Sequence, residues 1–254
     1  MKQLIRGLYT SAMGMIVQEK RQANISQNLA NIQTNSFKQQ KVIAAASHRM
    51  NVVNRSNDPG GRLTSIGNMH LGTSIDDIYT DFEQGLLKET NNPLDFAIDG
   101  EGFFVVQLPD GEEAYTRDGS FRLNENGELV TRDGYPVLDY NGQSIPLETE
   151  NVTADAYGGI QTQDNRYFSL GIVTFADVQQ LHRLGENLYT IEGGEPLAGG
   201  ACALRQGYIE ASNVDPLEQL VKMIEVTRNF ESNQKAIHAM DETLGKAVNE
   251  VGRL

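Results

Sequence analysis

Cysteine is all but missing from this 254-residue chain: Cys202 stands alone, which excludes an internal disulfide. No run of about 18 apolar residues occurs, so no segment reads as a membrane span. The first sixteen residues are interrupted by Lys2, Gln3, Arg6, Gly7 and Gly14. Without an apolar block or a small-residue cleavage site, they predict no cleaved secretory signal. The four histidines, His48, His70, His182 and His238, follow no motif spacing. His238 falls in a helical pattern where a solvated position is expected. Cys202 follows Gly199-Gly200-Ala201 at the entrance to a strand, where a small buried filler is expected rather than a reactive thiol.

Paired carboxylates are scarce as well. Asp76-Asp77 and Glu112-Glu113 are sequence neighbours, so on a strand they point to opposite faces and share no acid/base site. Asn124-x-Asn126-Gly127 lacks the glutamate of a calcium loop, because position 133 is Asp, and it reads as a turn. Gly100-Glu101-Gly102 is too short for a phosphate-binding fingerprint and reads as a turn or bulge. The residues thus predict no cofactor, no metal and no catalytic constellation.

What is present is a chain 39% hydrophobic, sufficient for one large or two modest packed domains. Its net charge of −13 is uneven. Residues 1 to 50 carry seven basic side chains against Glu19 alone, residues 51 to 209 carry nine basic against 25 acidic, and residues 210 to 254 carry five against eight. The acidic middle argues against nucleic acid and anionic membrane as partners.

Both ends read as long amphipathic helices. The C-terminal seam runs Met223, Val226, Phe230, Asn233, Ile237, Met240, Leu244, Ala247, Val251, Leu254, with a mean spacing of 3.5 residues that predicts a left-handed coiled-coil stripe. Asp215 as cap, Pro216 at the first helical position and Glu218 as the reciprocal capping residue predict a helix from about 216 to 250. At the other end Ile5, Leu8, Ala12, Met15, Ile16, Ala23, Leu29 and Ala30 recur at mostly helical intervals, and the helix should end near Asn31 to Asn35. Gly7 and Gly14 lie one heptad apart, so either another backbone approaches closely or this helix is weak by itself.

Between the helices, residues 36–92 read as an extended connector with a loop at Asn57-Asp58-Pro59-Gly60-Gly61. From Pro93 onward, Asx-Gly pairs at 99, 110, 118, 126, 133 and 141 punctuate short apolar runs such as Phe103 to Val106, the pattern of an antiparallel meander. Its last strand is expected near Leu204 to Glu210.

The predicted fold class is therefore α+β: long N- and C-terminal helices forming an α-helical coiled-coil domain, with an inserted mainly antiparallel β domain. The divisions are 1–35 and 211–254 for the helical assembly domain, 36–92 for the extended connector and start of the β region, and 93–210 for the β domain. The predicted assembly interface is Ile5, Leu8, Ala12, Met15, Leu29, Met223, Val226, Phe230, Ile237, Met240, Leu244 and Val251. Periodicity leaves two readings of it open. The helices either zip together inside one chain as a stalk below a β head, or they are completed by neighbouring subunits. Neither polar face is rich in Lys or Arg, which argues against a membrane-active helix.

Four stretches together resemble the flagellar rod and hook protein family of bacteria. They are Gly7 to Met15 with Asn28 to Lys38; Thr90 to Phe104 with Tyr115 to Phe121; Gly185 to Tyr189; and Gln206 to Val214 with Leu217 to Phe230. The signature positions within them are Asn28, Ala30, Asn31, Thr34, Phe37, Gly207 and Asn213. Asn35-Ser36 stands where the family commonly has a Pro-Gly or similar glycine turn. Within the family, the short chain and single β module exclude a full-length hook protein, and the whole pattern most resembles the distal rod branch, with the proximal rod branch second.

The resemblance implies an axial structural protein of the basal body, exported unfolded by the flagellar type III apparatus and polymerised into a hollow rod. Its partners would be further copies of itself and neighbouring rod and hook proteins. The terminal helices would line the tube and the β module would sit outside. Two other classes remain as alternatives. A secreted carbohydrate-active enzyme would need two carboxylates converging at roughly 5–9 Å, and an adhesin would need an exposed aromatic patch.

Overall fold

A computed structural model describes residues 2–47, 49–55, 63–70, 72–191, 193, 196–198 and 202–251. The chain divides into two compact units, one of residues 1–29, 40–79 and 215–254, the other of residues 30–39 and 80–214.

The first unit holds helix α1 (Lys2–Ala30) and, at the far end of the chain, helix α2 (Pro216–Lys246). The predicted cap of α2 is formed: the Asp215 carboxylate accepts from Leu217 N at 2.8 Å and Glu218 N at 3.4 Å, and Pro216 opens the helix. The Glu218 carboxylate turns outward to Lys222 at 2.7 Å. Beyond Lys246 the backbone continues as a π-helical turn, Ala247–Val251. The described residues between 40 and 80 include paired strands: β1 (Gln40–Ala46), β2 (Arg49–Arg55), β3 (Leu63–His70) and β4 (Thr73–Thr80), with β1 beside β4 and β2 antiparallel to β3. The expected loop at 57–61 lies outside the described residues.

The terminal helices do not form the α-helical coiled-coil domain that the periodicity predicts. Their approach is antiparallel and in constant register, with Gly7 at Met240, Gly14 at Asn233 and Asn28 at Gln219, each step being one heptad or a multiple of it. A Cβ added to Gly7 would stand 2.7 Å from Met240 Sδ, and one added to Gly14 would stand 3.0 Å from Asn233 Nδ2. The glycines therefore admit side chains of α2, not a second backbone. A coiled coil needs an apolar residue at each facing position. Where the two helices meet, α1 presents Gly7, Gly14 and Asn28 to α2, and none of these supplies an apolar knob. Val226 is buried, while Met223, Phe230, Ile237, Met240 and Leu244 remain half-buried. The unit is one N-terminal helix, one C-terminal helix and paired strands.

The second unit is a largely antiparallel β body. After β5 (Leu87–Glu89) and β6 (Phe96–Asp99) come β7 (Phe103–Gln107), β8 (Glu113–Thr116), β9 (Arg122–Leu123) and β10 (Leu129–Val130). Then follow β11 (Val152–Ala154), β12 (Gly159–Thr162), β13 (Tyr167–Ser169) and β14 (Ile172–Thr174). The last strands are β15 (Leu181–Gly185), β16 (Leu188–Ile191), β17 (Leu197–Ala198), β18 (Ala203–Gln206) and β19 (Tyr208–Glu210). The central sheet has the order β15-β16-β8-β7-β14-β17.

Strand β7 explains the apolar run Phe103 to Val106. Phe104 and Val106 enter one buried cluster with Phe96, Leu129, Ile145 and Ile160, while Phe103 and Val105 enter another with Tyr115, Phe175 and Tyr189. A strand covered on both faces reads as continuous rather than alternating hydrophobicity. The Asx-Gly pairs turn as expected at Gly100, Gly111, Gly127, Gly134 and Gly142, all at positive φ. Gly119 is needed for a different reason, since a Cβ there would strike the Phe96 carbonyl.

Candidate functional site

The chain enters the β body through residues 30–39 and leaves it through 208–214, and the family-signature residues Asn31, Thr34, Phe37, Gly207 and Asn213 lie along this crossing. α1 ends in a turn in which Thr34 N donates to Asn31 O at 3.1 Å and Phe37 N to Thr34 O at 3.4 Å. Phe37 is fully buried, with the Arg183 guanidinium 4.6 Å from its ring centre. Ser36 adopts φ 54°, the left-handed conformation that glycine takes most easily. Its N–H donates to Glu210 O and its hydroxyl to Arg117 O, both at 2.8 Å. These two bonds hold Ser36 in a conformation that costs a non-glycine residue roughly 1 kcal/mol or more.

Next to it lies a buried charge cluster. Lys38 Nζ stands 2.6 Å from Glu210 Oε1 and donates to Glu83 O at 2.8 Å, both side chains being about 1% exposed. Glu210 Oε1 also accepts from Gly85 N at 2.8 Å. Arg117 lies beyond, its Nε 3.9 Å from Glu210 Oε2, its Nη1 donating to Gly100 O, and its guanidinium 5.4 Å from the Phe103 ring centre. Burial pushes the Lys38 ammonium down from its ordinary value, and the Glu210 carboxylate opposes that shift. Burial lowers Arg117 in the same way.

Asn213 closes the crossing. Its amide donates to Asp81 O at 2.8 Å and Glu83 O at 3.0 Å, its oxygen accepts from Gln39 N at 2.8 Å, and its backbone N–H donates to Phe37 O. One side chain thus ties three passes of the chain. Gly207, at φ 76°, separates β18 from β19; its N–H donates to Asp95 O and its carbonyl accepts from Thr90 N, both at 2.8 Å. The expected single strand from Leu204 to Glu210 is thereby split, β18 pairing with β6 and β19 with β5. Asn187 Nδ2 donates to Asn35 O at 2.8 Å, which gives the Gly185 to Tyr189 stretch its place here.

Tyr189 supplies a test of this core. Its hydroxyl is buried without a hydrogen-bond partner among the described residues, and burial pushes the phenol up to about 12. The unfolded phenol ionises near 10. A raised folded value means stability is intact below pH 10 and is lost as pH climbs toward 12, at about 1.4 kcal/mol per pH unit. Tyr189→Phe should be close to neutral at pH 7, where it removes an unsatisfied hydroxyl, and should lessen the loss of stability between pH 10 and 12. Urea unfolding of both proteins at pH 7 and 11.5 checks this; equal losses in the two proteins would contradict it.

In the first unit, Asn28 is 1% exposed; its amide donates to Gln40 O at 2.8 Å and accepts from Gln40 N at 3.1 Å, tying the end of α1 to the start of β1. Ala30 is the exposed last residue of α1. Of the predicted interface positions on α1, Leu8, Met15 and Leu29 are half-buried and Ala12 is exposed. The side chains of Ile5 and Val251 lie outside the described set. The buried residues of α1 are instead Val17, Asn24, Ile25 and Asn28. Lys38, Arg117 and Glu210 escaped the sequence reading because single charges inside a motif look solvated until the fold buries them.

Little here resembles a reaction centre. Among the described residues no three His, Cys, Asp or Glu side chains gather as a metal site. Cys202 packs against the larger buried cluster, and burial pushes its thiol up, away from a reactive thiolate. Asp139 and Glu113 line a shallow cavity, but Asp139 accepts from Asn141 N, Gln143 N and Asn141 Nδ2, so its carboxylate serves the turn.

A β body tied at its crossing by buried polar bonds, in a chain whose two long helices keep apolar residues exposed, has the features of a structural protein. Residues 97–162 match the family model described as flagellar hook protein FlgE/F/G D1 domain, and residues 205–250 match that described as flagellar basal body rod FlgEFG protein C-terminal. The flagellar basal-body rod protein FlgG of Borreliella burgdorferi is 38% identical over 97% of this chain and 98% of its own. FlgG of Buchnera aphidicola subsp. Acyrthosiphon pisum is 37% identical over 96% and 98%, and FlgG of Bacillus subtilis 35% over 97% and 99%. The chain belongs to the family of flagellar basal-body rod proteins.

Proposed function

We propose that the chain is a structural subunit of the bacterial flagellar basal-body rod, of the distal type, polymerising through its terminal helices into a hollow axial tube that transmits torque. The observation that carries this reading is the reach of the similarity. It extends over 96% or more of the chain and 98% or more of the FlgG proteins just named, so it includes both helices as well as the β body. The half-buried seam of α2, from Met223 to Leu244, is the surface that neighbouring copies would complete. Residues 1–35 and 211–254 are the assembly portion, 36–92 the extended connector and start of the β region, and 93–210 the β domain.

Neighbouring rod and hook proteins and the flagellar type III export apparatus are the further partners. No cofactor, nucleic acid or catalysis enters the role. Membrane insertion has no place in it either, and no described helix is long and apolar enough to cross a bilayer. Concentrated pure protein should form hollow tubes by electron microscopy. Protein that stays monomeric at every concentration would overturn the reading.

A further inference from the structure

The small sheet β11-β12-β13 keeps one face in water. Side chains alternate across a strand, and residues in register share a face. The register Thr153↔Gln161↔Tyr167 therefore sets these three side by side, and all are exposed, whereas Val152, Ile160 and Thr162 of the opposite face are buried.

Tyr167 is held in place on that face. Its Cα stands opposite Gln161, yet its phenol reaches Gly159, where an added Cβ would strike the hydroxyl oxygen. The ring thus lies along the sheet, and glycine at 159 leaves it the room. Its hydroxyl donates to Asp155 Oδ2 at 2.9 Å, while Asp155 Oδ1 accepts from Tyr157 N and Gly159 N, both at 2.8 Å. Even so, Tyr167 is 64% exposed.

Beyond Gln161 on the same sheet opens a cavity of about 400 Å³ lined by Asn151, Thr153, Gln161, Thr162 and Gln163. No charged side chain lines it, in a chain with 34 acidic residues. Among the described residues, the side chains of Asn151, Thr153 and Gln163 have no hydrogen-bond partner, and Gln161 gives only its Nε2 to Asn165 Oδ1 at 2.7 Å. Amides and a hydroxyl that both donate and accept are therefore left facing outward.

We propose that this face binds an uncharged saccharide chain, Tyr167 taking the C–H face of a pyranose ring and the amides of Asn151, Gln161 and Gln163 with the Thr153 hydroxyl taking its hydroxyl groups. A sugar alternates apolar C–H patches with groups that donate and accept, and this face offers the matching pair: one fixed ring beside unspent polar groups. Without a cation it does not suit a phosphate or a nucleic acid. With one ring as its only large apolar group, it does not suit an amphipathic helix, which needs a row of apolar pockets. Asp155 is committed to three hydrogen bonds, so the site holds the saccharide and leaves it uncleaved. One ring and a few amides imply binding in roughly the millimolar range.

Saturation-transfer NMR on the full chain tests this, because it reads the ligand whether the protein is monomeric or assembled. Cellotetraose or chitotetraose should receive saturation, and acidic tetragalacturonate should bind at least about tenfold more weakly. Tyr167→Ala and Thr153→Arg should each weaken binding at least about tenfold, a loss of one stacking contact. Tyr157→Ala, which removes a ring 93% exposed outside the row, should stay within about twofold of wild type. No saturation of either uncharged saccharide would overturn the proposal, as would equal binding by a folded Tyr167→Ala protein. If Tyr167→Ala does not fold, Thr153→Arg decides alone, and unchanged binding there overturns it. Tetragalacturonate binding as well as cellotetraose, or an uncharged pentapeptide binding more tightly than both saccharides, would also overturn it, the peptide result by showing a strand-docking surface.

Discussion

Glu210→Ala is expected to lower the stability of the β body by about 3–5 kcal/mol, the usual result of removing one partner from a buried ion pair. The Lys38 ammonium, 1% exposed, would be left with the Glu83 carbonyl as its named partner, and Gly85 N would lose its acceptor. Replacing both charges, Lys38→Met with Glu210→Leu, should recover much of the loss, because the penalty lies in the uncompensated charge. Urea unfolding followed through tyrosine fluorescence measures both. A Glu210→Ala protein within about 1 kcal/mol of wild type would mean that water reaches the Lys38 ammonium and that the crossing is not sealed.

The second large effect is on assembly. Leu244→Asp and Ile237→Asp each put a carboxylate into the half-buried seam of α2, where an unpaired charge costs at least about 2 kcal/mol. Since 1.4 kcal/mol is a factor of ten in an equilibrium constant, the concentration needed for polymer should rise more than about tenfold. The β body, whose core is built from Phe104, Val106, Leu129 and Ile160, should keep its unfolding midpoint. Normal tubes from Leu244→Asp at wild-type concentration would remove the seam from the assembly surface. Loss of the β body's midpoint as well would point to a folding defect.

Much of this was legible in the sequence for local reasons. Asp215-Pro216 announces the start of α2 because capping and a fixed φ act within one turn. The Asx-Gly pairs announce their turns because positive φ is a property of one or two residues. Pairing between distant segments was far less legible. The seam spacing of α2 stands in the sequence, but a coiled coil is a property of two faces, and the facing glycines and Asn28 of α1 do not supply the second. A period found in one helix says nothing about its partner.

The crossing was half legible. Phe37, Gly207 and Asn213 were marked by resemblance before their roles were visible. Those roles are a buried ring under Arg183, a left-handed turn between two strands, and an amide that joins three passes of the chain. Ser36 shows how a departure from the family pattern is absorbed: it takes a glycine-like φ of 54° and gains two bonds that glycine's missing side chain would reduce to one. Lys38, Arg117 and Glu210 lie within the resembling stretches without standing out in them, because charge alone does not announce burial, and their contacts span up to 172 residues of sequence.

The central claim is that the terminal helices, not the β body, carry assembly. Hydrogen exchange of monomer and polymer, read segment by segment, tests it most directly. Residues 2–30 and 216–246 should exchange fast in the monomer, where their apolar positions are incompletely covered, and gain at least about a hundredfold protection in the tube, while residues 96–191 change little. Protection gained in 96–191, with the helices exchanging alike in both states, would contradict it.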